Sequence, residues 1–103
     1  MELRKNEIGT YIISEKAFKD MAAIACSSVK HVYPTKKDNE FVDCKISKAG
    51  EPLFTVSVRV KQGVDIVKLC NKLQDEIKEA VLLMSGIECK QIDIDIQGFE
   101  TAK

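Results

Sequence analysis

A single histidine, a net charge of zero and four cysteines without a C-x-x-C pair leave this 103-residue chain short of the usual materials of catalysis, nucleic-acid binding and metal capture. His31 stands in the stretch KHVYPTKKDNE, with no serine or cysteine nucleophile in a recognisable elbow, so a surface side chain is the favoured reading. Lysine and arginine total 16, as do aspartate and glutamate, giving no net pull toward nucleic acid or a membrane. The charge is unevenly spread: residues 1–63 carry 11 basic and 8 acidic side chains, residues 64–103 carry 5 and 8. Cys26, Cys44, Cys70 and Cys89 are separated by 18, 26 and 19 residues, and the chain has enough aliphatic side chains to form a core without disulfides. Reduced cytosolic thiols are therefore expected. The longest apolar run, Met21 to Cys26, is far shorter than a membrane span, and the charged start MELRKNE leads into no apolar segment of the signal-peptide kind.

What is present reads as one domain over residues 1–103, close to the commonest domain size. Ile8 to Ile13 (IGTYII) is β-branched and aromatic and predicts a first strand. Ser14 is a suitable N-cap, with Glu15 in the first turn, for a helix whose apolar stripe is Phe18, Met21, Ala22, Ala25 and Val29. Lys30 to Glu40 predicts a loop. Phe41 to Lys48 alternates Val42, Cys44 and Ile46 against Asp43, Lys45 and Ser47, and a turn at Ala49–Pro52 leads to Phe54, Val56, Val58 and Val60 alternating with Thr55, Ser57, Arg59 and Lys61. Asp65 then caps a long helix with Ile66, Leu69, Cys70, Leu73, Ile77, Ala80, Val81 and Met84 on one face, and Gly86 stands where a left-handed stop belongs. Gln91 to Gln97 alternates Ile92, Ile94 and Ile96 against Asp93, Asp95 and Gln97.

The order β-α-β-β-α-β, with amphipathic elements throughout, predicts an α+β two-layer sandwich. Both helices cover one face of a mainly antiparallel four-stranded sheet and leave the other face wet. The ferredoxin-like arrangement, with the first strand central, is the default topology for this order.

Several constellations have both a chemical and a plain reading. Asp93 and Asp95 lie about 6–7 Å apart on one strand face, a spacing that suits a cation or a pair of catalytic carboxylates. They alternate with isoleucines, however, and a polar strand face accounts for them. The cysteines fall on or beside apolar stripes and read as small core residues rather than zinc ligands. A phosphate site at Gly63 is opposed by Asp65, whose charge occupies the place of an anion. The junction Ile13-Ser14-Glu15 lacks the arginine and glycines of an acylphosphatase loop. The exposed positions Thr55, Ser57, Arg59 and Lys61 lack the aromatic platforms of an RNA-recognition motif. No catalytic residue, cofactor or metal is expected.

The segment from Gly63 to Phe99 resembles the C-terminal half of the alkaline-shock-protein envelope-stress family of Gram-positive bacteria. That family shows G-V-x-I, then V-Q-x-x-V-K-x-x-V, then M-[TS]-G-[LI]-x-V, then V-x-V-x-V-x-G. The matching residues are Gly63, Val64 and Ile66; Leu73, Gln74, Ile77, Lys78 and Val81; Met84, Ser85, Gly86 and Ile87; and Ile92, Ile94, Ile96 and Gly98. Gly9, Ile13, Ser14, Ile24, Ala25 and Val29 extend the likeness toward the N-terminus. The chain departs from the pattern at His31-Val32, where the family often has a glycine-valine turn, and at Cys89, where it has valine.

The resemblance implies a non-enzymatic cytoplasmic protein of cell-envelope stress or homeostasis that self-associates and docks on a membrane-embedded partner, without inserting in the membrane itself and without binding nucleic acid. The residues available for such contacts are Thr55, Ser57, Arg59, Asp93 and Asp95 on the wet sheet face, with Lys45 and Lys48 on Phe41–Lys48, the expected exposed edge. The competing expectation is a regulatory or small-ligand-binding domain acting on a neighbouring metabolic enzyme, marked by a polar pocket between helices and sheet.

Overall fold

In a computed structural model, residues 12–101 are described. The elements run α1 (Glu15–Ser27), β1 (Val32–Pro34), β2 (Val42–Ile46), β3 (Pro52–Lys61), α2 (Ile66–Ser85) and β4 (Gln91–Glu100). The strand expected at Ile8–Ile13 lies outside the described residues up to Tyr11, and Ile12 and Ile13 lead into α1 without strand pairing.

Both helices begin where the side-chain chemistry places them. Ser14 accepts a hydrogen bond from the Ala17 amide at 3.1 Å, and Asp65 accepts one from the Lys68 amide at 3.2 Å, each occupying a donor the first helical turn leaves unpaired. α2 ends at Gly86, whose φ of 73° is open to glycine without steric cost and whose amide returns to the Leu82 carbonyl at 2.8 Å.

β3 is the centre of the sheet. Its first half pairs antiparallel with β2 and its second half antiparallel with β1, while β4 runs parallel along its whole other side. The α+β two-layer sandwich is thus present, with two of the three strand pairings antiparallel. One connection differs from the ferredoxin-like default, which sets the first strand between the third and the last. Here β3 and β4 hydrogen-bond directly, joined by α2 as the crossover that parallel neighbours require. The expected loop at Lys30–Glu40 also contains a strand, β1. It is three residues long and extends the edge of β3 beyond the end of β2; Pro34 and the adjoining lysines masked its short V-Y signal.

β4 is three residues longer than its alternation indicates. The register advances from Val58↔Ile96 to Arg59↔Gly98, so Gln97 is an extra residue, and Phe99 then falls opposite Val60 on the helix side. This bulge resets the phase that a strict two-residue period loses at Gly98.

The core lies between the sheet and the helices. Phe54, Val56, Val58 and Val60 of β3 and Val42 and Cys44 of β2 meet Phe18, Ala22, Ala25 and Cys26 of α1 and Leu73, Ile77 and Val81 of α2. The buried row of α2 is Leu73, Ile77, Val81 and Ser85. Ile66 and Met84, expected on that face, are exposed, because the strict i+4 ridge runs to Ser85 and turns Met84 away by about 100°.

His31 adopts φ 70°, a left-handed conformation in which a β-carbon is crowded, and its carbonyl is held by the Lys61 amide at 3.0 Å. His31→Gly is expected to relieve more folded-state strain than it adds in unfolded-state entropy. The net gain is about 0.5 kcal/mol, read as a melting temperature higher by about 2–4 °C; His31→Val is expected to lower it.

Candidate interaction surface

The face of the sheet opposite the helices is built by the outward alternate positions of four strands. Strand register sets Lys45, Leu53 and Gln91 in one row, Asp43, Thr55 and Asp93 in the next, Ser57 beside Asp95, and Tyr33 beside Arg59 and Gly98. Six of the seven residues singled out from the sequence therefore share this face: Lys45, Thr55, Ser57, Arg59, Asp93 and Asp95. Lys48 does not, since it lies in the turn between β2 and β3. The small hydroxyl side chains of Thr55 and Ser57 are half-buried along the midline, whereas Lys45, Asp43, Asp93 and Asp95 are exposed toward the margins. The result is a shallow polar surface with charge at its borders.

Three interactions order this face. Arg59 reaches across to Glu100, with 2.7 Å between Nη2 and Oε2. Gly98 lies under this crossing, where a β-carbon would make ordinary contact with the Arg59 side chain at 3.7 Å. The carboxylate of Asp93 accepts from the Gln91 amide at 2.7 Å and that of Asp95 from the Gln97 amide at 3.1 Å. Arg59 is thus already engaged in an ion pair, and the two aspartates are steadied by neighbours on their own strand. Tyr33 joins the face only through β1, which is why the sequence reading left it out.

The sheet has two margins among the described residues. β2 pairs with β3 alone, as expected of Phe41–Lys48, and β4 also pairs with β3 alone. The Ser57 amide donates to the Phe41 carbonyl at 2.9 Å, so the even residues of β3 bond β4, and the ladder turns the backbone groups of Asp93 and Asp95 toward β3 and those of Ile92 and Ile94 outward. On the helix side, the Gln74 side chain donates to the Ile92 carbonyl at 2.9 Å and ties α2 to β4.

Comparison with protein-family models, curated proteins and solved structures finds no match to this chain.

The four cysteines are free thiols. Burial pushes Cys26 up to about 12. Burial, with the Glu15 carboxylate adding to it and Lys19 opposing it, pushes Cys44 up to about 11. Cys89 is raised to about 11, mainly by burial, and Cys70 is raised by burial as well. All four are thereby held in the protonated form, which is a poor nucleophile and a poor metal ligand. Among the described residues, no three His, Cys, Asp or Glu side chains cluster in a way that could hold a metal ion, and no helix is long and apolar enough to cross a membrane.

The core packs between the helices and the sheet, and two hollows among the described residues are open to solvent. One of about 450 Å³ is bordered by Asp75, Lys78, Glu79, Leu82 and Glu88. Another, of about 240 Å³, lies between α2 and the start of β4 and is bordered by Gln74, Lys78, Cys89 and Lys90.

Proposed function

We propose that this protein is a non-enzymatic adaptor of cell-envelope stress or homeostasis, which self-associates and docks on a membrane-embedded partner at the cytoplasmic face. The observation that carries the docking reading is the open sheet face, where Lys45, Asp93 and Asp95 border the half-buried Thr55 and Ser57. A flat face of this kind, ending in strand margins with outward backbone groups, suits contact with another protein surface better than enclosure of a small molecule. The envelope assignment rests on the resemblance of Gly63–Phe99 to the alkaline-shock-protein family. The residues of that pattern have coherent structural parts here: Gln74 straps α2 to β4, and Ser85 and Gly86 close α2.

Purification from the native cell with membrane proteins retained is expected to recover an integral membrane protein. Asp93→Lys with Asp95→Lys is expected to reduce that recovery at least tenfold while leaving the circular dichroism unchanged. Light scattering across a wide concentration range is expected to show a mass rising with concentration. A strict monomer at every concentration sinks self-association; recovery indifferent to the double variant removes the sheet face from docking.

A further inference from the structure

On the side of the molecule away from the sheet face, α1 and α2 meet along a seam with an apolar floor open to solvent. Ile24, Leu83 and Met84 are 57%, 80% and 50% exposed. With Ala25 and Ala80 they line a groove of about 240 Å³, whose remaining wall is Ser28, Glu76 and Glu79. The run Val81–Met84 has four consecutive apolar residues, and successive helical positions are about 100° apart, so they cannot all face inward. Val81 points into the core, while Leu82, Leu83 and Met84 are left outside.

Charge around the strip is mostly of one sign. Glu76 and Glu79 border it on α2, and Asp38 and Asp20 lie on the far side of Ile24. Asp20 is engaged by Lys16 and Asn39. Glu76 accepts a 3.4 Å hydrogen bond from Ser28, and neither Glu76 nor Glu79 forms an ion pair with a described residue. Lys72 and Lys78 on α2 are the nearest cations in sequence, and neither borders this groove. Glu76, Ala80 and Leu83 follow one another at i+4 and i+3, forming a ridge of the kind another helix packs against.

We infer that this seam docks an amphipathic helical segment of another protein, one that sets apolar anchors on Ile24, Leu83 and Met84 and directs lysine or arginine side chains toward Glu76 and Glu79. Apolar anchors at i, i+3, i+4 and i+7 match the strip, and cations beside them meet carboxylates that no cation among the described residues pairs with.

The test uses the full chain and two synthetic peptides of about 14 residues, roughly four helical turns. Both carry leucine at i, i+3, i+4 and i+7; the remaining positions are lysine in one and glutamate in the other. In a methyl NMR titration, the lysine peptide is expected to shift Ile24, Ala80, Leu83 and Met84 saturably, and the glutamate peptide is expected not to bind. Glu76→Gln with Glu79→Gln is expected to weaken the lysine peptide roughly three- to tenfold, and Leu83→Ser roughly tenfold or more. Leu83 is largely exposed, so its variant is expected to keep the parent circular dichroism and melting temperature. Equal binding of both peptides, absence of saturable binding, or shifts centred on Thr55 and Ser57 would overturn the inference. So would a dimer of the chain abolished by Leu83→Ser, which makes a second copy the occupant. Loss of sheet-face docking leaves these outcomes unaffected, since the two surfaces lie on opposite sides of the molecule.

Discussion

Phe54→Ala is expected to lower stability by about 3–5 kcal/mol. Phe54 is fully enclosed in the middle of the sandwich, on the helix side of the central strand. Its ring meets that of Phe18 edge to face, with centroids 6.5 Å apart and planes at 79°, so the truncation removes both buried area and a favourable aromatic pair. Phe54 sits on the strand flanked by every other strand, leaving little freedom for neighbours to collapse into the space. Domains of this size are stable by only about 5–15 kcal/mol, so the variant is expected to unfold at a much lower urea concentration with an unchanged slope. Thr55→Ala, one residue along but on the open face, is expected to cost less than about 0.5 kcal/mol. Similar losses at the two positions would contradict the assignment of faces.

Ser85→Ala is expected to cost about 1–3 kcal/mol, far more than removing one hydroxyl from a surface. Ser85 is the buried polar side chain at the end of α2. Its hydroxyl donates to the Val81 carbonyl at 2.7 Å and accepts from the Ile87 amide at 3.1 Å. The same oxygen thus serves a carbonyl of the last helical turn and the first amide of the chain leaving it. Alanine keeps the helix but leaves the Ile87 amide buried without a partner. Hydrogen exchange distinguishes this from general loosening: the Ile87 amide is expected to lose protection, while that of Gly86, bonded to the Leu82 carbonyl, keeps it relative to global stability. Equal protection of Ile87 in parent and variant would show that Ser85 is not its acceptor.

These two positions also show how differently parts of this fold are written in the chain. Both ends of the helix that closes at Ser85 were legible, because Asp65 and Gly86 act within one turn of themselves: a carboxylate that reaches a nearby amide, and a residue able to take positive φ. The alternation around Phe54 was equally plain, since a period of two needs no partner to be recognised. The role of the Ser85 hydroxyl was not legible, because it depends on which way the chain turns after Gly86.

The interaction surface was partly readable for the same reason. Alternation alone assigns Thr55, Ser57, Arg59, Asp93 and Asp95 to outward faces, but only pairing puts them side by side. Arg59 was read as an exposed contact residue, and it is tied to Glu100 by a register that includes the bulge at Gln97. Tyr33 was missed because the three residues of β1 carry too little pattern of their own; they become a strand because β3 runs on past β2. The α1–α2 seam had one sequence signal, the apolar run Val81–Met84. Its acidic border was invisible, since Glu76 and Asp38 belong to distant segments.

The sequence by itself determined the caps, most of the faces of the helices and strands, the two-layer α+β class and the small-residue character of the cysteines, because these follow from forces acting within a few residues. The tertiary structure alone decided that β4 lies parallel against β3, that β1 completes the edge of β3, and that Ile24 lines one groove with Leu83 and Met84, bordered by Glu76 and Glu79. Those outcomes depend on which surfaces are buried together, and burial is a property of the whole chain that no local window contains.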